Sequence, residues 1–192
     1  RPRMLHLYRI AGLRAPDLYC VYGYHGDMSA SDRRSVVILI DGASLFYAAA
    51  SLGFEVDYER LLVRLNQGRR LLQAFFYTGI SSGNQKQQAF LHWMQNHGYR
   101  VIRKELTVAP DGSRHANLAV EIAIDMLMFA EQCQTIVLVS HDDNLAYAAN
   151  IATTKGVQIE LVGIRGMIAD GLMNLADQFI DLETIKSEIR RD

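Results

Sequence analysis

Four aspartates of this chain stand where chemistry is possible. Asp41 closes the apolar run SVVILID (35–41), Asp142 and Asp143 follow the run TIVLVS (135–140), and Asp125 lies inside the apolar segment VEIAIDMLMF, one helical turn after Glu121. Like charges ~4 Å apart repel by about 4 kcal/mol at an effective dielectric of ~20. The adjacent pair Asp142 and Asp143 therefore calls for a cation, a shared proton or solvent. Any one of these residues alone reads as a helix cap or a turn residue. Three carboxylates beside apolar runs, Asp41, Asp125 and Asp142, shift the reading toward a site.

The elements that must position them follow from periodicity. From Ser35 onward, apolar runs alternate with amphipathic segments. Strands are expected at 35–41, 69–79, 99–108, 135–140 and 157–163, with one more near the C-terminus. Helices are expected at 44–53, 57–65, 84–98, 117–131 and 143–155, with a short helix near 170–177 and a tail helix. Pro110-Asp111-Gly112 supplies turn chemistry after the third strand. Strands that are apolar throughout, each followed by a helix, pair in parallel and need cover on both faces. The expected class is α/β, a three-layer α/β/α sandwich with a mainly parallel sheet. Ligands of such sheets sit beyond the carboxyl ends of the strands, where strand order reverses, and Gly42 frees the backbone to turn away there while Asp41 stays at the edge.

Composition bounds the rest. The chain has 192 residues, 49% hydrophobic and 21% charged, enough for one well-buried domain, read as residues 35–192. Residues 1–34 hold two of the three prolines and four tyrosines without a sustained period, and read as an extension or arm. Met28 is a candidate natural start, the alternative being an arm packed on the domain. A formal charge of −1 argues against coating nucleic acid or an anionic membrane through net charge, so a polyanion must be held locally. Cys20 and Cys133 form neither a metal spacing nor a disulfide framework, no apolar run reaches the ~18 residues of a spanning helix, and residues 1–27 lack signal-peptide organisation. A soluble, cytoplasmic protein with no membrane partner is expected. Arg103, Lys104, Arg114 and His115 flank the expected hairpin and either grip phosphates or form a solvated basic edge. Phe75, Phe76 and Trp93 read as core, whereas Tyr77 and Thr78 stand at a strand end.

The segments ILIDGASLFYAA, AFFYTG, GYRVIRKELTVAPDGSRHANLAVEIAIDML, TIVLVSHDDNLAYAAN and MNLADQFIDLETIK together resemble the LabA-like NYN domains, a branch of the PIN-like metal-dependent nucleases, from Val36 to Ile189. The resemblance implies a Rossmann-like sheet whose carboxylates hold Mg²⁺ or Mn²⁺ and activate water against an RNA phosphodiester. It implies catalytic and metal-binding roles for Asp41, Asp125 and Asp142, with Asp143 as a further candidate ligand. Ser44, Thr78, Lys104, Arg114, His115 and Ser140 are the substrate-contact candidates. The chain also departs from the pattern. Ser44 replaces an asparagine, Ala119 and Asn144 replace aspartates, and His141 and Asp143 replace glycines. Asp143 and Glu121 are candidate substitutes for the missing acids, although neighbouring positions point elsewhere. The expectation is an RNA-directed domain of endoribonuclease ancestry with a weakened acidic site. The alternative is a non-catalytic regulator that binds RNA, a nucleotide or a protein, with a second copy of the chain as another possible partner.

Overall fold

Five consecutive residues of the first strand, Val36 to Ile40, are completely buried, so this strand has no face toward water and must sit in the middle of a covered sheet. The computed structural model describes residues 35–81, 83–112 and 114–192, and the expected N-terminal arm lies outside them. The main-sheet strands are β1 (Ser35–Asp41), β2 (Arg70–Ile80), β3 (Tyr99–Glu105), β6 (Thr135–Val139), β7 (Gln158–Gly163) and β8 (Gln178–Asp181). Their order is β3-β2-β1-β6-β7-β8, and every neighbouring pair is parallel. Strand order therefore reverses between β1 and β6, which opens a crevice at the carboxyl ends of those two strands.

The helices are α1 (Gly42–Ser51), α2 (Tyr58–Asn66), α3 (Gln85–Asn96), α4 (Ala119–Phe129), α5 (Ala146–Thr153), α6 (Asp170–Met173) and α7 (Leu182–Ile189). Alternation along each strand splits the core in two. Val37, Leu39, Phe75, Tyr77, Ile136 and Leu138 pack with Ile122 and Met126 of α4, Ala149 of α5 and Leu172 of α6. Val36, Ile38, Ile40, Phe76, Val137 and Val139 pack with Leu45 of α1, Leu61 and Leu65 of α2, Met94 of α3 and Ile185 of α7. The expected three-layer α/β/α sandwich is the observed fold. At the amino ends of the strands, Arg69 forms a bidentate pair with Glu160 of β7, at 2.6 and 2.9 Å, and its guanidinium also donates to Leu65 O and Asn66 O.

Among the boundaries that differ from expectation, three have a clear local reason. The strand read as 99–108 ends at Glu105, where its partner β2 ends at Ile80; after a last bond from Leu106 N to Ile80 O the chain turns into a separate antiparallel hairpin, β4 (Thr107–Val108) and β5 (Arg114–His115). Its turn is closed by Gly112 N to Ala109 O, with Gly112 at φ +83. The helix read from 143 opens as a 3-10 turn, Asp143–Leu145, before α5. Helix α1 starts two residues early because Asp41 caps it. Among the described residues no helix is long and apolar enough to cross a membrane.

Candidate nucleic-acid cleft at the strand-order reversal

Asp41 ends β1 in extended backbone, and its side chain accepts from Ala43 N at 3.1 Å and Ser44 N at 3.4 Å, satisfying orphan amides of α1. The tight entry depends on Gly42, where a Cβ would stand 2.8 Å from both Phe76 Cζ and Tyr77 O. The other carboxylate oxygen, Oδ2, accepts from the hydroxyls of Ser44 at 2.6 Å and Ser140 at 3.2 Å. Those hydroxyls accept in turn from His141 N and Asp142 N, at 3.3 and 3.1 Å. A hydrogen-bonded knot thus ties the end of β1 to the end of β6. Ser44 and Ser140 were expected to touch substrate; the structure buries both, their hydroxyls directed to Asp41. With His141 they border a void of about 10 Å³, room for one water at most.

Asp142 caps the 3-10 turn, its Oδ1 accepting from Asn144 N at 3.0 Å and from the Asn144 side-chain amide at 2.7 Å. Asn144, one of the departures from the family pattern, thus relieves the acid at 142 with a neutral amide donor. Asp143 diverges from the pair. A Cβ on Gly171 would lie 2.8 Å from its Oδ1, which places its carboxylate against α6.

Beside this knot, an open cleft of about 450 Å³ lies over the carboxyl ends of β1 and β2, walled by α1, α3, the hairpin and the start of α4, with Asp142 as its lining residue from the β6 side. Asp41, Asp142 and Ala119 line it together with Thr78, and the hairpin residues Arg114 and His115 contribute to its wall. Aromatic side chains border it as well: Phe46, Tyr47, Tyr58, Phe76, Tyr77 and Phe90. Phe46 and Tyr47 were absent from the sequence-based candidates. The signal for them was the phase of α1, since Leu45, Ala48 and Ala49 face the core and leave 46 and 47 outward.

Asp125 and Lys104 occupy a separate shoulder beside the edge strand β3. Asp125 Oδ2 accepts from the buried Tyr77 hydroxyl at 2.8 Å. Burial lifts the Asp125 carboxyl above its ordinary value, against the lowering effects of the Tyr77 hydrogen bond and the Arg100 charge. Burial and the neighbouring Asp125 charge likewise push the Tyr77 hydroxyl far up. Lys104 spends its ammonium on Glu121 Oε1 at 2.8 Å and Asn117 O at 3.0 Å, and this bond holds Glu121 below the usual carboxylate range. Neither Asp125 nor Lys104 lines the cleft, and Glu121 turns to Lys104 rather than to position 119.

These donors can be tested against the Mg²⁺ or Mn²⁺ that the resemblance implies. Among the described residues, no three His, Cys, Asp or Glu side chains lie close enough to hold an ion. Asp41 and Asp142 share the cleft, but both oxygens of Asp41 and one of Asp142 already accept hydrogen bonds. This set does not make the multi-carboxylate cage of a Ca²⁺ site; the two carboxylates, Asp41 and Asp142, would suit only a Mg²⁺ or Mn²⁺ that keeps most of its waters.

A parallel α/β sheet with capped carboxylates at its order reversal defines the Rossmann-like class. Within it, the chain belongs to the NYN domain family, whose profile matches residues 35–183. It is 35% identical over 164 residues to the low amplitude and bright protein LabA of Synechococcus elongatus, covering 81% of this chain and 88% of that protein. Its fold is similar to the crystal structure of a Vibrio parahaemolyticus protein of unknown function, with a TM-score of 0.70 at 22% identity, covering 81% of this chain and 96% of that one.

Proposed function

We propose that this NYN domain binds RNA in the cleft over the carboxyl ends of β1 and β2, beside the strand-order reversal, and holds it without efficient cleavage. The observation that carries this reading is the segregation of charge inside one cleft: Asp41 and Asp142 contribute its acidic edge, and Arg114 and His115 line its wall. A phosphodiester with no cation beside it is repelled by the first pair and drawn to the guanidinium. Two of the family's acidic positions are neutral here, and both neutral residues stand at the site. Ala119 faces the cleft, and Asn144 donates its amide to Asp142. An incomplete acidic set lowers the rate of phosphodiester hydrolysis far more than it lowers stability, because the missing ligands act on charge developed in the transition state.

The test uses a fluorescent RNA pool of mixed single-stranded and structured molecules, followed for binding and cleavage in EDTA, Mg²⁺ or Mn²⁺. Binding is expected in EDTA, with little cleavage in any buffer. Arg114→Ala should weaken binding at all sequences and reduce the slope of log affinity against log salt by about 1. The double change Ala119→Asp with Asn144→Asp should raise metal-dependent cleavage, with Asp41→Asn in that background as the control for contaminating nuclease. Robust Asp41-dependent cleavage by the wild type overturns the reading.

A further inference from the structure

Two aromatic residues on the rim of the cleft, Phe46 and Tyr47, belong to neither core cluster. Phe46 and Tyr47 sit on the outward face of α1, 65% and 62% exposed, whereas Leu45 and Ala48 of the same helix fill the core. Large rings left in water forgo the stabilisation that burial gives. They are not scattered surface residues, because both line the cleft that Asp41 and Arg114 also line. Their rings meet edge to face, with centroids 5.8 Å apart at 69°. The cleft lining continues as a packed aromatic group in which Tyr58 meets Phe76 at 5.6 Å and Phe90 at 5.2 Å. Burial pushes the Tyr58 hydroxyl up to about 12, so this part of the cleft stays neutral over the physiological range.

A ligand matched to these surfaces has flat, uncharged rings joined by a chain of anions. We infer that Phe46 and Tyr47 form a stacking platform for unpaired nucleobases, and that the cleft therefore selects single-stranded RNA over duplex. Bases inside a duplex present their edges and keep their faces stacked on one another, so they cannot lie on a protein ring without being extruded. A single strand offers every base face freely, and aromatic platforms of this kind tolerate sequence because all bases have a π-face. With its bases on the α1 rim, a strand is free to place its phosphates toward Arg114 and away from Asp41 and Asp142. The inference rests on the RNA-binding reading above and adds to it the strandedness of the ligand and the residues that read it.

The experiment measures fluorescence anisotropy with three probes of equal phosphate number: a mixed-sequence single-stranded 12-mer, the same strand with abasic sites at its centre, and a hairpin. Wild type is expected to bind the 12-mer at least about 10-fold more tightly than the other two. Phe46→Ala with Tyr47→Ala should lose a similar factor on the 12-mer and become indifferent to base removal. Phe46→Tyr with Tyr47→Phe should retain the preference. Both sites are exposed, so an unchanged thermal melt will accompany the loss. If Arg114→Ala weakens binding but the aromatic double change and the abasic probe do not, the platform is overturned while the RNA reading stands, and the rim is left to a protein partner. If wild type binds none of the three probes, both fall.

Discussion

The two ends of the central sheet treat their acids in opposite ways. At the amino end, Glu160 is closed off by the two prongs of the Arg69 guanidinium, which is itself anchored on the last two carbonyls of α2. At the carboxyl end, Asp41 and Asp142 are held by hydroxyls, amides and backbone N–H groups, none of which carries a charge. The first arrangement cancels its charge and ends there. The second fixes the geometry of its acids and leaves their negative charge facing a cleft. Compensation by a cation marks a structural acid, and compensation by neutral donors leaves a field that a ligand can feel.

The largest effect is expected at the closed end. Arg69→Met leaves Glu160 buried without its partner and should cost about 3–5 kcal/mol in urea unfolding, most of it recovered when Glu160→Leu is added. A loss below ~1 kcal/mol would mean that water reaches Glu160 and that the contrast between the ends is weak. At the open end, Asp41→Ala removes a helix cap and the shared acceptor of two buried hydroxyls, for about 2–4 kcal/mol, and Asp41→Asn should lose less. Smaller still is Asn144→Asp. It exchanges an attractive amide for a like charge and should lower stability by about 1 kcal/mol in EDTA, a deficit that shrinks in low-millimolar Mn²⁺. Wild type should melt at the same temperature with and without Mn²⁺, and a rise with Mn²⁺ would restore the cation to the open end.

The smallest effect concerns the shoulder and has a definite sign. Because burial raises the Asp125 carboxyl above its ordinary 3.8, the folded state holds that proton more tightly than the unfolded one. The contribution of Asp125 to stability is therefore full at low pH and falls as pH rises through its raised value. The gap in melting temperature between Asp125→Asn and wild type should widen in favour of the variant as pH rises from the unfolded carboxylate value to neutrality. A narrowing gap would mean that Asp125 is stabilised as an anion and belongs with Asp41 after all.

Periodicity made the sheet legible because its strands are parallel and the central ones are buried, so that these announce themselves as unbroken apolar runs such as VVILI or IVLV. The same logic placed Asp41 and Asp142 at strand ends. It could not say where α4 would aim Asp125, since that depends on the Tyr77 hydroxyl arriving from β2, 48 positions earlier in the chain. Nor could it separate Asp143 from Asp142: adjacent residues at a turn diverge by backbone angles that only the cap at Asp142 fixes. Lys104 read as a free cation until Glu121 and Asn117 claimed it. Phe46 and Tyr47 were visible in principle, but apolar residues in an apolar helix do not reveal which face they occupy until the core partners of that helix are known.

The knot at the carboxyl end has a consequence for how the protein is made. Asp41 and Ser140 are 99 residues apart in sequence, and β1 needs β6 on one flank just as it needs β2 on the other. At ~5–20 residues per second, translation leaves about 5–20 s during which β1 exists without its second neighbour. In that interval the chain has its first carboxylate, its aromatic rim, the hairpin and half a sheet, but neither Asp142 nor Ser140. The acidic edge of the cleft is therefore completed late, and a chain stopped before Thr135 should carry most of the cleft wall without the acid at 142 or the Ser140 hydroxyl that holds Asp41.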